Sequence, residues 1–296
     1  MLREPRNDAA PAPVLSLTGI GSAARARVPR VFALAPLLLA LLAPVGRPTY
    51  AHAIVAVAAN QSYNWAGYVQ GALEKDGTLF HAITADWIVP TVTQRRAGEA
   101  EYSSTWIGIG GGCVTEDCDV TDATLIQAGI GHDVDAAGNA DYYAWWEAIP
   151  LPSVRIEGFV VGAGDRVHVD IAEDAVTKEV WTINVRDLTS GSSFTMTLPY
   201  SSTYATAEWV LETPVVIDEQ GTIFSVGPLP NVSTVHFDRG TTNGANAALV
   251  ESEEMQLLDF YGSGVIALPS RPEKDTDGFN DCSFTKVCQR PNKELP

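Results

Sequence analysis

Ala207-Glu208-Trp209-Val210-Leu211-Glu212 sets two carboxyl groups four residues apart in a segment that reads as a strand. Side chains alternate along a strand, so Glu208 and Glu212 share one face and Trp209 and Leu211 the other. Tyr143-Ala144-Trp145-Trp146-Glu147 likewise puts Tyr143, Trp145 and Glu147 on one face, and Thr124-Leu125-Ile126-Gln127-Ala128-Gly129 presents Gln127 between apolar neighbours. Paired carboxyls hydrolyse glycosides, and aromatic faces stack on sugar rings. Aromatics, an amide and acids on one sheet face describe a groove for a polymer. The residues alone reach an extracellular hydrolase or lectin, with peptide and glycan both open.

Other chemistries are less well served. His81, His132, His168 and His236 lie outside any GxSxG or HExxH pattern. His168 alternates with valines and reads as a surface residue of a strand. Gly108-Ile109-Gly110-Gly111-Gly112 lacks the Lys-Ser/Thr ending of a phosphate loop. Two acidic segments approach calcium loops, Asp133-x-Asp135-x-x-Gly138-x-x-Asp141 and Asp275-x-Asp277-Gly278-x-Asn280-Asp281. In the first, Ala137 and Ala144 occupy ligand positions, and the second is also incomplete. Both read as acidic hairpin turns, so neither a metal nor a cofactor is expected.

The elements that must position these side chains are strands. Apolar residues alternate in Arg166-Val167-His168-Val169-Asp170-Ile171, in Trp181-Thr182-Ile183-Asn184-Val185-Arg186, and at Phe194, Met196 and Leu198. Gly162-Ala163-Gly164-Asp165, Thr189-Ser190-Gly191-Ser192 and Ala137-Gly138-Asn139 mark turns between strands. No segment beyond the N-terminal region carries a convincing helical stripe, and no linker or repeat divides it. The pattern predicts one all-β domain, a sandwich or barrel, over residues 54–296.

Composition narrows the setting. The chain has 296 residues, 46% hydrophobic and 19% charged, with net charge −17. Such an acidic balance argues against a nucleic-acid partner, which needs a basic face, and against docking on anionic lipid. Residues 1–53 read as a secretory region. Arginines precede the apolar run Val31–Val45, and Ala51-His52-Ala53 offers a cleavage site. The run is too short to span a bilayer and contains Pro36 and Pro44. A secreted monomer, free of the membrane after cleavage, is the expectation. All four cysteines fall in the exported part; proximity favours Cys113–Cys118 and Cys282–Cys288 as disulfides, with zinc the less favoured reading.

Several segments together resemble the glutamic peptidases, the eqolisin family. They are Asn64-Trp65-Ala66-Gly67-Tyr68, Trp87-Ile88-Val89-Pro90, Thr105-Trp106-Ile107-Gly108-Ile109-Gly110-Gly111, Leu125-Ile126-Gln127-Ala128-Gly129, Tyr143-Ala144-Trp145-Trp146-Glu147 and the Glu208–Glu212 segment. Phe237 to Asn243 and Gly264 to Ser270 are similar to the closing strands. The resemblance implies a single β-sandwich of two antiparallel sheets, roughly seven strands each and concanavalin-like, with the site on the concave face. It implies an acid-active endopeptidase acting on polypeptides through a Gln/Glu dyad without a cofactor. The dyad positions match Gln127 and Glu212; the substrate-binding positions match Trp65, Gly67, Trp106, Trp145 and Glu147. Two departures stand out. Gly110 replaces an Asp of the fungal members, and a second cleft Asp is Gly131 here or displaced to Asp133.

The residue types suit that chemistry. A Glu can take a proton from water and pass it to the leaving nitrogen. A Gln amide offers two N–H donors without charge, so it can stabilise an oxyanion at any pH. A glycan-binding or glycan-cleaving sandwich would use Glu208, Glu212, Glu147 and the same tryptophans, and Gly110 leaves an inactive relative as a third reading.

Overall fold

The computed structural model describes residues 49–51, 54–71, 75–115, 118–217, 223–262 and 264–295. The apolar run of the leader and Ala53 lie outside the described residues. Among the described residues no helix is long and apolar enough to cross a membrane, and a 3-10 turn at Glu251–Glu253 is the helical element.

Period-two alternation becomes strand wherever the sequence carries it. The longer strands are β1 (Trp65–Gly71), β2 (Ala82–Ile88), β3 (Ser104–Gly110), β4 (Leu125–Val134), β5 (Ala140–Ala148), β6 (Arg166–Glu173) and β7 (Val180–Asp187). They continue with β8 (Ser193–Pro199), β9 (Thr206–Glu212), β10 (Val235–Thr242), β11 (Glu254–Leu258), β12 (Val265–Pro269) and β13 (Phe279–Ser283). In β6 and β7 buried and half-buried residues alternate, as a sheet with one face on a core requires. In β9 and β3 every residue is buried, so those strands are covered on both faces.

Sheet one runs in the order β5-β4-β3-β9-β1-β11, with the two-residue strand Val154–Arg155 beyond β5. Sheet two runs β8-β7-β6-β2-β10-β13-β12-β11. All these pairings are antiparallel. Strand β11 belongs to both sheets: Glu254 and Met255 pair with β1, and Leu257 and Leu258 pair with β12. The sandwich is therefore joined along one side. The sandwich class is as expected, but the strand counts differ from seven per sheet: sheet one has its short edge piece, and sheet two shares β11 and adds the short strands Ala245–Asn246, Ala56–Ala58 and Gln61–Ser62.

The core lies between the sheets. Ala66, Tyr68, Ile107, Ile109, Ile126, Ala128, Trp209 and Leu211 of sheet one meet Ile83, Trp87, Val169, Trp181, Phe237 and Phe279 of sheet two. Each fully buried aromatic of this kind contributes about 1.5–3 kcal/mol through the apolar area removed from water. A second, smaller apolar cluster occupies the opposite face of sheet one: Trp65, Trp106, Leu125, Trp145, Val210 and Met255. Both disulfides form as proximity predicted, with Cα–Cα separations of 4.9 Å for Cys113–Cys118 and 5.5 Å for Cys282–Cys288.

Candidate active site

The register of sheet one fixes which side chains share its outward face. Residues directly opposed in antiparallel strands point the same way. One row across the sheet reads Glu147, Gln127, Gly108, Glu208, Val69. Two residues along, the next row reads Trp145, Gly129, Trp106, Val210, Gly67. A third reads Tyr143, Gly131, Ser104, Glu212, Trp65. All seven residues expected from the resemblance thus lie on one face, together with Glu208, and opposite the face on which Trp209 and Leu211 enter the core.

Within that face they form two hydrogen-bonded groups. Glu212 is fully buried. Its Oε1 accepts from Asn64 Nδ2 and Trp65 Nε1, each at 3.2 Å, and its Oε2 accepts from Trp106 Nε1 at 2.7 Å. The two indoles meet edge to face with centroids 4.9 Å apart, a favourable aromatic geometry. Three N–H donors can hold a buried carboxylate that would otherwise be costly. The acid is the centre of a polar pocket, not a solvated strand edge. Gln127 is also fully buried and donates from Nε2 to Glu147 Oε2 at 2.6 Å, while its Oε1 has no hydrogen-bond partner among the described residues.

The register separates the two dyad candidates. Gln127 lies across Gly108 from Glu208, whereas Glu212 pairs with Ser104, which pairs with Gly131 four residues further along β4. Glu208 is fully buried, and neither carboxyl oxygen has a hydrogen-bond partner of good geometry among the described residues, Thr206 being a weakly placed neighbour. Burial first, and the charge of Asp122 second, push its pKa well above the ordinary carboxylate range. Such a group keeps its proton to higher pH than an exposed carboxyl does.

The face is roofed in this structure: Trp145 and Glu147 are 2% exposed, and Trp65 and Trp106 are fully buried. Ile54, Val69, Tyr143 and Ile149 pack against the tryptophans. Cavities open at two opposite corners. One is lined by Tyr102, Asp133, Tyr143, Trp145, Ser153, Arg155 and Pro214. The other is lined by Val69, Gly71, Cys113 and Thr115 with Ala59, Ser252 and Glu253.

Both departures from the family pattern have a local physical cause. Gly110 has φ +93°, and a Cβ there would lie 2.1 Å from the Thr124 carbonyl oxygen, so no side chain fits. At Gly131 a Cβ would lie 2.3 Å from Tyr143 Cζ. The tyrosine ring lies over the glycine, and its hydroxyl donates to Asp133 Oδ2 at 3.0 Å. The displaced acid thus holds the ring that covers the vacated position, and burial and Asp133 raise the Tyr143 pKa.

Two sequence readings change. His168 is not a plain surface residue: it stands opposite Asp86 and its Nδ1 lies 2.5 Å from Asp86 Oδ1. Burial opposes its charge, but Asp170 and Asp86 more than offset this and raise its pKa to about 8. Asn64, quoted for its place in a motif, supplies a donor to Glu212; its position beside Trp65 was the available signal. The Asp133–Asp141 segment is a hairpin as read, with Asp133 paired to Asp141 and Asp135 accepting from the Ala137 and Asn139 amides.

The family model described as the Peptidase A4 family matches residues 63–276. No curated protein sequence matches the chain. Among solved structures it is similar to scytalido-glutamic peptidase with a peptide-based transition-state analogue, at 19% identity and TM-score 0.57 over 77% of this chain and 100% of that one. It is also similar to SCP-B, a member of the eqolisin family of peptidases solved with the tripeptide Ala-Ile-His, at 16% identity and TM-score 0.51 over the same shares. At these identities the structural likeness speaks for the sandwich fold. Together with a family match running from the first tryptophan segment past the closing strands, it leads to one assignment: the chain belongs to the Peptidase A4 family, the glutamic peptidases, and is a hydrolase of peptide bonds.

Proposed function

We propose that residues 54–296 form an exported endopeptidase that cleaves polypeptides under acid conditions through Glu212 and Gln127. Glu212 takes a proton from the attacking water and returns it to the leaving nitrogen. Gln127 uses the second hydrogen of Nε2 to stabilise the oxyanion while the first remains on Glu147. Trp65, Trp106, Trp145, Glu147 and Gly67 line the path of the substrate backbone. The observation that carries this reading is the carboxylate of Glu212 held by Asn64, Trp65 and Trp106 on the same sheet face as Gln127. Such a clamp orients the acid through neutral N–H donors.

Export is supported by the leader-like region and by two disulfides, which persist in oxidising compartments. The protein is taken to act as a monomer with no cofactor, away from nucleic acid and membrane.

Casein digestion across acidic pH tests the proposal with three variants. Glu212→Gln is nearly isosteric and removes the proton acceptor, so turnover stops. Gln127→Ala loses an oxyanion donor, worth about 10²–10³ in rate. Glu208→Gln is the control that the register demands, and it retains most activity. Wild-type turnover by Glu212→Gln, with Glu208→Gln inactive, would move the acid to the row of Gln127 and overturn the assignment.

A further inference from the structure

The segment Asp275-x-Asp277-Gly278-x-Asn280-Asp281 is incomplete as a cation loop in sequence, but the fold brings carboxyls to it from elsewhere. Asp238 comes from β10 and stands opposite Asp86 on the face of sheet two turned away from the core, since the neighbouring Trp87 and Phe237 fill the core. Glu273 and Asp277 come from the connection between β12 and β13, and Glu294 from the C-terminal residues. One carboxylate oxygen from each of Asp238, Glu273, Asp277 and Glu294 lies within 4.8 Å of the others. Calcium–oxygen distances of about 2.3–2.6 Å place opposite ligands roughly 4.6–5.2 Å apart, so the four oxygens fit around one such ion.

A second observation points to a ligand there. Glu273 is only 5% exposed, and its Oε1 has no hydrogen-bond partner among the described residues. Asp277 Oδ1 is also buried without one. The nearest imidazole nitrogen, His236 Nε2, is 3.8 Å from Glu273 Oε1, beyond hydrogen-bond reach. The Arg239 guanidinium turns instead to Asp86 and to the Leu295 carbonyl. A buried carboxylate oxygen with no donor is a costly arrangement unless a cation or a proton completes it.

We propose that Asp238, Glu273, Asp277 and Glu294 form a calcium-ion site on the outer face of sheet two. The all-oxygen, strongly anionic donor set suits a hard divalent ion. Without the ion the carboxyls crowd one another. The ion also ties down the chain end. Leu295 N–H donates to Asp238 Oδ2, so bridging Asp238 and Glu294 fastens that segment to β10.

The test needs no activity and does not depend on the peptidase mechanism. The purified full chain is stripped with EDTA and titrated with calcium chloride by calorimetry near pH 7.5, with melting curves alongside. One saturable calcium per chain is expected, with a dissociation constant on the order of 10⁻⁵–10⁻³ M and a higher melting temperature in millimolar calcium. Asp277→Asn and Glu294→Gln, on the more open side of the cluster, keep the fold and weaken binding at least tenfold. Affinity falls as pH is lowered toward 5, because protons compete for the same oxygens. Absence of calcium heat with unchanged melting overturns the proposal. So does undiminished binding in the double variant Asp277→Asn/Glu294→Gln. A wild type indifferent to calcium, with Glu273→Gln more stable at pH 7.5, shows that shared protons complete the cluster instead.

Discussion

Trp106 and Trp87 are both fully buried, yet their indole N–H groups meet different fates. Trp106 Nε1 donates to Glu212 Oε2 at 2.7 Å, whereas Trp87 Nε1 is buried with no hydrogen-bond partner among the described residues. Replacement of either by Phe removes similar volume, costing about 1–2 kcal/mol if the site collapses partly. The hydrogen-bond consequences then diverge. Trp106→Phe also loses a hydrogen bond to a charged group, worth about 1.5–3 kcal/mol, for a total of about 3–5 kcal/mol. Trp87→Phe removes an unpaired buried donor, whose desolvation cost of about 1–3 kcal/mol is relieved, and is expected within about 1 kcal/mol of wild type. Urea denaturation at fixed pH reads the difference as a shift in midpoint at constant slope. A double-mutant cycle with Glu212→Gln isolates the pair, because a neutral acceptor reduces the cost of Trp106→Phe by about 1–2 kcal/mol. Equal destabilisation by the two Trp→Phe changes, or an unchanged Trp106→Phe cost in the Glu212→Gln background, would refute the clamp on Glu212.

Two further outcomes concern pH. Glu208 has its folded pKa raised by burial, so its contribution is favourable at low pH and is lost as pH rises above the ordinary carboxylate range; Glu208→Gln should therefore gain stability relative to wild type between pH 4 and pH 7 in urea titrations, and parallel curves would sink the argument. His168 has a folded pKa of about 8 against an ordinary 6.5, so its pairing with Asp86 and Asp170 stabilises fully below about 6.5 and fades as pH rises through 8. His168→Gln is expected to cost about 1–2 kcal/mol near pH 5.5 and little above pH 9, and a cost independent of pH would show that packing, not charge, matters at that position.

What the sequence made legible was local. Alternation in Arg166–Glu173 and Val180–Asp187 depends only on neighbours along the chain, and it gave the strands and the faces of Glu208, Glu212, Trp145 and Glu147 correctly. Short cysteine separations gave both disulfides for the same reason. Register was not legible, because it depends on pairing between strands far apart in sequence. Nothing local says that Gln127 lies across Gly108 from Glu208, or that Asn64 reaches an acid 148 residues away. The sharing of β11 between sheets is equally non-local. The cluster of Asp238, Glu273, Asp277 and Glu294 gathers three separated segments, so a scan for contiguous calcium loops passes over it. His168 was misread because alternation shows which face a residue takes but not what stands beside it on the next strand.

The two missing acids of the family pattern bear on how charge is arranged around the site. At Gly110 a side chain is excluded by the Thr124 carbonyl, and at Gly131 by the Tyr143 ring. Neither acid could be restored by one substitution without moving backbone or an aromatic ring. Near Gly110 the negative charge belongs to Asp122. Asp122 accepts from the Thr124 amide and hydroxyl and from the Thr203 hydroxyl, and from there its charge raises the Glu208 pKa. Asp133 lies two residues beyond Gly131 on the same face of β4 and accepts from the Tyr143 hydroxyl. The face also carries Gln127, Glu147 hydrogen-bonded to that amide, Glu208 with its pKa raised by burial, and Glu212 held by three N–H donors. On this face the Glu212 carboxyl is met by N–H groups of neutral side chains, the arrangement that the proposed one-carboxylate hydrolysis of a peptide bond would use.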